Sequence, residues 1–99
     1  MRITYTKRAD RCANAINDWW QANGDDPDHF IEELRETLDR LRDNPELGPV
    51  YVAKRSRRQV RRILLTKTGH YLYYRINHSA DLIEVAMIWG TSRARGPVL

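Results

Sequence analysis

Residues 60–89 read VRRILLTKTGHYLYYRINHSADLIEVAMIW, and this stretch decides the fold. It divides into three strand-like segments, Val60–Thr66, His70–Ile76 and Leu82–Trp89, rich in the β-branched and aromatic residues that favour pleated backbone. Lys67-Thr68-Gly69 and the polar run 77–81 are short enough to join them as antiparallel hairpins. A three-stranded meander presents two faces. Alternation puts Tyr71, Tyr73 and Arg75 on one and Leu72, Tyr74 and Ile76 on the other. Arg61 and Arg62, on successive positions, must likewise point to opposite faces. One is expected to face the exposed surface, the other to cover the helix side or pair with a carboxylate such as Glu33 or Glu36.

Working towards the N-terminus, the period changes from two to about 3.6. Phe30, Ile31, Leu34, Leu38 and Leu41 mark one helical stripe. Asp26 as N-cap and Pro27 at the first helical position would start that helix, and Asn44-Pro45 would stop it. A second stripe, Ala9, Cys12, Ala13, Ile16 and Trp20, predicts an earlier helix ending at Asn23-Gly24 in a left-handed glycine cap. Arg2–Thr6 alternates as a short strand. The fold class expected is therefore α+β in two layers: an N-terminal strand, an antiparallel helical hairpin, then a three-stranded antiparallel meander (βααβββ). The first strand pairs with a meander edge, the helices cover one sheet face, and the other face is open and concave. Residues 50–58 are read as irregular. With 99 residues the chain is expected to be a single domain, 1–99.

Composition excludes several classes. At 41% hydrophobic and 30% charged the chain reads as a soluble globular protein, and nine aromatic residues argue against disorder. No apolar run approaches the roughly 20 residues that span a bilayer, and no signal-peptide pattern opens the sequence, so no membrane role and a cytoplasmic location are expected. Cys12 has no partner for an internal disulfide. His29, His70 and His78 are too scattered for a metal site, and no cofactor motif is present, so neither metal nor cofactor is expected.

Charge is strongly polarised. Residues 1–50 carry seven Lys/Arg against eleven Asp/Glu, whereas residues 51–99 carry ten against two, giving the whole a net charge of +4. The basic half points to an anionic partner, nucleic acid or an acidic protein segment, with a merely solvated basic face as the plain alternative. Lys54, Arg55, Arg57 and Arg58 form the densest patch.

Four pieces of sequence together resemble the RelE/ParE toxins of type II toxin–antitoxin pairs. They are Leu41-Arg42-Asp43-Asn44-Pro45-Glu46-Leu47-Gly48, Val60–Leu65, Tyr71–Ile76, and Ile83–Trp89 running into Gly90 and Arg93. The tail Arg93-Ala94-Arg95-Gly96-Pro97 is similar to ParE-like endings. The resemblance implies the same βααβββ fold and a growth-inhibiting toxin neutralised by a cognate antitoxin with an acidic segment. It leaves two activities open. ParE-like members are associated with poisoning DNA gyrase; RelE-like members cleave messenger RNA on the ribosome. A nontoxic binding module is a third possibility.

Metal-free RNA cleavage needs a base, an acid and cations around phosphorus, and the residues available for it are Arg61, His70 and Arg93. Two departures favour the ParE-like reading. His70-Tyr71 stands where the ribonuclease branch begins its strand with Arg, and residues 94–99 hold no Tyr, Phe or His. On that reading the target-binding candidates are Arg61, Arg62, Tyr71, Tyr73, Arg75, Arg93 and Arg95. The antitoxin-binding candidates are Trp19, Lys54, Arg55, Arg57 and Arg58.

Overall fold

The computed structural model describes residues 1–52, 58–93 and 95–99. Its elements run β1 (Arg2–Tyr5), α1 (Lys7–Asn23), α2 (His29–Asp43), β2 (Val50–Tyr51), β3 (Val60–Leu65), β4 (His70–Asn77) and β5 (Leu82–Gly90). The βααβββ order expected from the sequence is present, with a short extra strand, β2, inside the stretch read as irregular. The five strands form one mixed sheet in the order β1-β5-β4-β3-β2. Only β1–β5 is parallel, with Ile3 opposite Ile83 and Tyr5 opposite Val85; the remaining pairs are antiparallel.

The start of α1 follows from local chemistry, that of α2 less directly. Thr6 ends β1 and caps α1, its hydroxyl accepting from the Ala9 amide at 3.0 Å and donating to the Ala86 carbonyl at 3.1 Å. One side chain thus ties the first helix to the last strand. α2 begins at His29, two residues later than Pro27 predicts, and its N-cap Asp28 makes no side-chain cap bond. The Asp28 carboxylate instead accepts from the Gln21 amide of α1 at 2.9 Å. The predicted left-handed cap at Gly24 is also corrected, since its φ of −90° is ordinary extended backbone. Glycine is required there by space: a Cβ would lie 2.9 Å from the Trp20 ring.

The main core lies between the helices and one sheet face. Ala9, Phe30, Leu34 and Leu41 pack on Leu65, Leu72, Tyr74, Ile83, Val85 and Ile88, all buried. The opposite face is not open as expected. Val60, Tyr73 and Met87 form a second buried cluster, with Cys12, Tyr51, Tyr71, Trp89 and Leu99 packed around it. A β-bulge makes the two clusters possible. The β4–β5 register pairs Tyr73 with Met87 but Tyr74 with Val85, so one extra residue sits on β5. Val85 and Met87 therefore serve opposite faces, although two residues apart on a regular strand they would share one.

Two buried polar groups fix the sheet to the helical layer. Tyr74, fully buried, donates its hydroxyl to the Pro45 carbonyl at 2.7 Å and accepts the Gly48 amide at 2.9 Å. Glu33, 6% exposed, accepts the Lys67 and Thr68 amides at 2.7 and 3.0 Å and the Thr68 hydroxyl at 2.7 Å. Glu33 thus caps the β3–β4 turn and does not pair with either arginine of β3, correcting that expectation; Glu36 pairs with Lys67. Because the Thr68 hydroxyl proton goes to Glu33, the oxygen receives the Nδ1–H of His70, 3.2 Å away. Burial against Phe30 holds the His70 pKa below its ordinary 6.5, more strongly than the Glu33 carboxylate raises it.

Tyr74→Phe leaves the Pro45 carbonyl and Gly48 amide without their partner and is expected to cost about 1–3 kcal/mol in denaturant unfolding. Gly48→Ala is expected to cost at least as much, because its Cβ would stand 2.8 Å from that same hydroxyl. For His70 the unfolded state takes up the proton more readily, so its contribution is complete above pH 6.5 and declines as pH falls towards the depressed native value. Unfolding measured across that window should show a shallower loss in His70→Gln than in the parent chain.

Candidate target-binding face

The residues that could meet a target lie on the sheet face away from the main core. Cross-strand register assembles them in rows: Leu64 beside Tyr71 beside Trp89, then Arg62 beside Tyr73 beside Met87. Tyr51 enters from β2, opposite Val60. The Arg62 guanidinium lies 4.1 Å from the Tyr71 ring centre and 4.8 Å from that of Tyr51, so it is held between two aromatic rings. Tyr51 meets Tyr73 edge to face at 5.1 Å. Tyr73 is only 1% exposed and supports the cluster from beneath. Burial pushes its phenol above the usual value while the Arg62 guanidinium draws it down. A buried phenol of raised pKa is a poor proton acceptor at neutral pH.

The C-terminal residues lie across the same face. Arg93 stacks its guanidinium 4.2 Å from the Trp89 ring centre, and the Trp89 indole donates to the Arg95 carbonyl at 2.7 Å. Gly96 passes so close to Tyr51 that a Cβ would come within 2.8 Å of its hydroxyl. Pro97 is buried, the Val98 carbonyl accepts from Arg8, and Leu99 joins the cluster around Tyr73. A small, flexible glycine and a proline suit this close passage over aromatic rings.

The remaining candidates distribute unevenly. Arg61 is separated from Arg62 by the sheet, as alternation requires. It donates to the Gly48 carbonyl at 2.9 Å and the Glu46 carbonyl at 3.3 Å, beneath the α2 exit. Arg75 shares the face of Tyr71 and Tyr73 but is drawn to Glu84, its cross-strand neighbour, at 3.5 Å. Its place four residues from Tyr71 puts it roughly 13 Å along the strand. His70 points to the helix side, with Phe30 and Thr68, so Arg61, His70 and Arg93 do not converge. Arg58 is exposed, 3.5 Å from Glu84. Trp19 is 56% exposed and set edge-on to Trp20 at the far end of α1. Lys54, Arg55 and Arg57 lie outside the described residues. Among the described residues no group of three or more His, Cys, Asp or Glu could hold a metal, and no helix is long and apolar enough to cross a membrane.

Sequence reading missed Tyr51, which completes the Arg62 sandwich, and Glu84, which claims Arg75. Val50-Tyr51-Val52 is a short run of β-favouring residues after Gly48-Pro49, and that was the available signal. The Arg75–Glu84 pair depended on a register that only the bulge fixes.

Comparison with known proteins now bears on this geometry. No curated protein sequence matches. Among solved structures, the isolated E. coli RelE toxin is similar with a TM-score of 0.64 at 17% identity, covering 95% of this chain and 87% of that one. The intact E. coli RelBE toxin–antitoxin complex is similar with a TM-score of 0.63 at 17% identity, covering 93% and 98%. The chromosomal ParDE system of P. aeruginosa is similar with a TM-score of 0.59 at 16% identity, covering 93% and 97%. At such identities these likenesses speak for the fold. The family described as the ParE toxin of the type II toxin–antitoxin system, parDE, matches residues 3–95, which take in both helices and all of the strands but Arg2. The chain belongs to the ParE toxin family.

Proposed function

We propose that this toxin inhibits growth by binding its target, DNA gyrase, through the Arg62 face, and not by cutting RNA. The observation that carries the reading is the composition of that face. Around Arg62 stand Tyr51, Tyr71 and Tyr73, with Arg93 on Trp89 alongside. Aromatic rings with fixed guanidinium groups are the anchors that dominate macromolecular interfaces. RNA cleavage asks for more, a base and an acid on either side of a phosphate. His70 faces the helical layer, and Glu84 is engaged with Arg75 and Arg58 at the far end of the sheet.

A cognate antitoxin with an acidic segment is the second part of the proposal. The P. aeruginosa ParDE and E. coli RelBE systems are toxin–antitoxin pairs, and the balance of ten Lys/Arg to two Asp/Glu in residues 51–99 suits an anionic partner here. Exposed Trp19 would anchor its apolar part, and Lys54, Arg55, Arg57 and Arg58 its acidic part.

Expression of the chain alone, with DNA synthesis and transcript integrity followed over the first minutes, separates the activities. Arrested replication with intact transcripts and gyrase held on broken DNA is the expected outcome; early transcript cleavage on ribosomes would defeat the proposal. Normal growth would mark a nontoxic binding module. Arg62→Ala should weaken gyrase binding about tenfold or more, as loss of a central interface arginine does. Its thermal unfolding should change little by comparison.

A further inference from the structure

At the end of the sheet away from Trp89, the residues leading into β3 part from the end of β4. The β3–β4 pairing begins at Arg61 opposite Tyr74, so the Arg75–Asn77 end of β4 continues beyond its ladder with β3. The space between them is a pocket of about 470 Å³, within the range of small-molecule sites. Among the described residues, three guanidinium groups line it, Arg58, Arg61 and Arg75, with the polar side chains of Asn77 at the end of β4 and Ser79 in the β4–β5 turn and a single carboxylate, Glu84.

Charge in this pocket is under-compensated. Glu84 is shared between Arg58 and Arg75 at 3.5 Å each, longer than the 2.7–2.9 Å typical of a charge-assisted hydrogen bond. Arg61 spends its terminal nitrogen on the neutral carbonyls of Glu46 and Gly48. Among the described residues, the Nε atoms of Arg61 and Arg75 are buried without any hydrogen-bond partner. Such groups normally find one, because an unmade bond to a buried charge is costly. Residues 53–57, which precede Arg58, contain no carboxylate that could complete the balance. Three cations and one anion leave a surplus of two positive charges in a cavity that also offers amide and hydroxyl groups.

We propose that this pocket binds a phosphate dianion, free or as a monoester, with Arg58 and Arg75 as its ionic contacts and Glu84 as the built-in competitor that the ligand displaces. The site lies at the end of the sheet away from Trp89, beyond the Arg62 cluster, and the proposal does not rest on what that cluster binds. A dianion matches the surplus charge, planar guanidinium groups suit phosphate oxygens, and the volume exceeds that of phosphate alone, leaving room for the group esterified to it. Free phosphate and the phosphate of a nucleotide share this chemistry, and the comparison below distinguishes them.

The test titrates the purified chain with inorganic phosphate, adenosine monophosphate and adenosine, following thermal unfolding and calorimetric heat. Both phosphate compounds should bind and raise the unfolding temperature, and adenosine should not. Tighter binding of the nucleotide would identify an esterified ligand; equal binding would identify free phosphate. Arg75→Gln should weaken binding about tenfold or more, the scale of one lost charged hydrogen bond. Glu84→Gln should strengthen it, which no merely structural role of Glu84 would produce. Arg58→Ala, at an exposed position, should weaken binding while leaving the fold intact, and it decides the matter if Arg75→Gln does not fold. Absence of binding up to about 10 mM phosphate, an equal response to adenosine, or affinity unchanged in Arg58→Ala and Glu84→Gln would overturn the proposal.

Discussion

The hydroxyl of Tyr74 is the constraint on which the arrangement of layers depends. It is buried in the main core on the central strand, where an unpaired polar atom would be costly. Both of its hydrogen-bonding roles are filled by backbone of the α2 exit, the Pro45 carbonyl and the Gly48 amide. That exchange sets how closely the Asn44–Gly48 segment must wrap the sheet, and it leaves no space for a side chain at position 48. The same segment then turns its other carbonyls, Glu46 and Gly48, towards Arg61. The motif by which this region resembles its family is thus a backbone cradle for one tyrosine and one arginine. With Arg61 held below, Arg62 is free to stand between the rings above.

Glu33 performs the matching task at the opposite end of β3. It is an acidic residue in the middle of an apolar helical stripe, buried because the Lys67-Thr68 turn offers it two amides and a hydroxyl. A buried carboxylate is tolerated when its oxygens are satisfied in this way. Together, Tyr74 and Glu33 anchor the helical layer to both ends of the same β-hairpin, which is why the rows of side chains on the far face keep their register.

Periodicity revealed most of this fold because the sequence keeps to period two and period 3.6 over long windows. The meander, both helices and the first strand were legible from the spacing of apolar residues and from turn and cap signals. Three features were not. β2 has two residues and no window in which alternation can establish itself. The bulge at β5 shifts Met87 to a face that simple alternation denies it. The destinations of charged side chains depend on backbone carbonyls and amides, which carry no signature in a sequence; Arg61 and Glu33 both found backbone and not each other. On the candidate face, Tyr71 and Tyr73 were legible together, whereas the choice of Arg62 over Arg61, the place of Tyr51 and the docking of the last residues needed the tertiary structure. Arg75 was placed on the correct face but its attachment to Glu84 could not be foreseen without the register.

The parallel pairing of β1 with β5 also governs when the molecule can exist. Its partners are about eighty residues apart, and Thr6 binds Ala86 across that same distance. Contacts of such long sequence separation form late and slow folding. On the ribosome, the first strand must wait until β5 has been synthesised before its edge of the sheet can close. The helical hairpin and the β3–β4 hairpin can form locally in the meantime, but the aromatic face lacks Met87 and Trp89 until β5 emerges. A chain arrested part-way through translation therefore has no finished surface with which to act. The topology thus withholds a finished sheet face until β5 has been made.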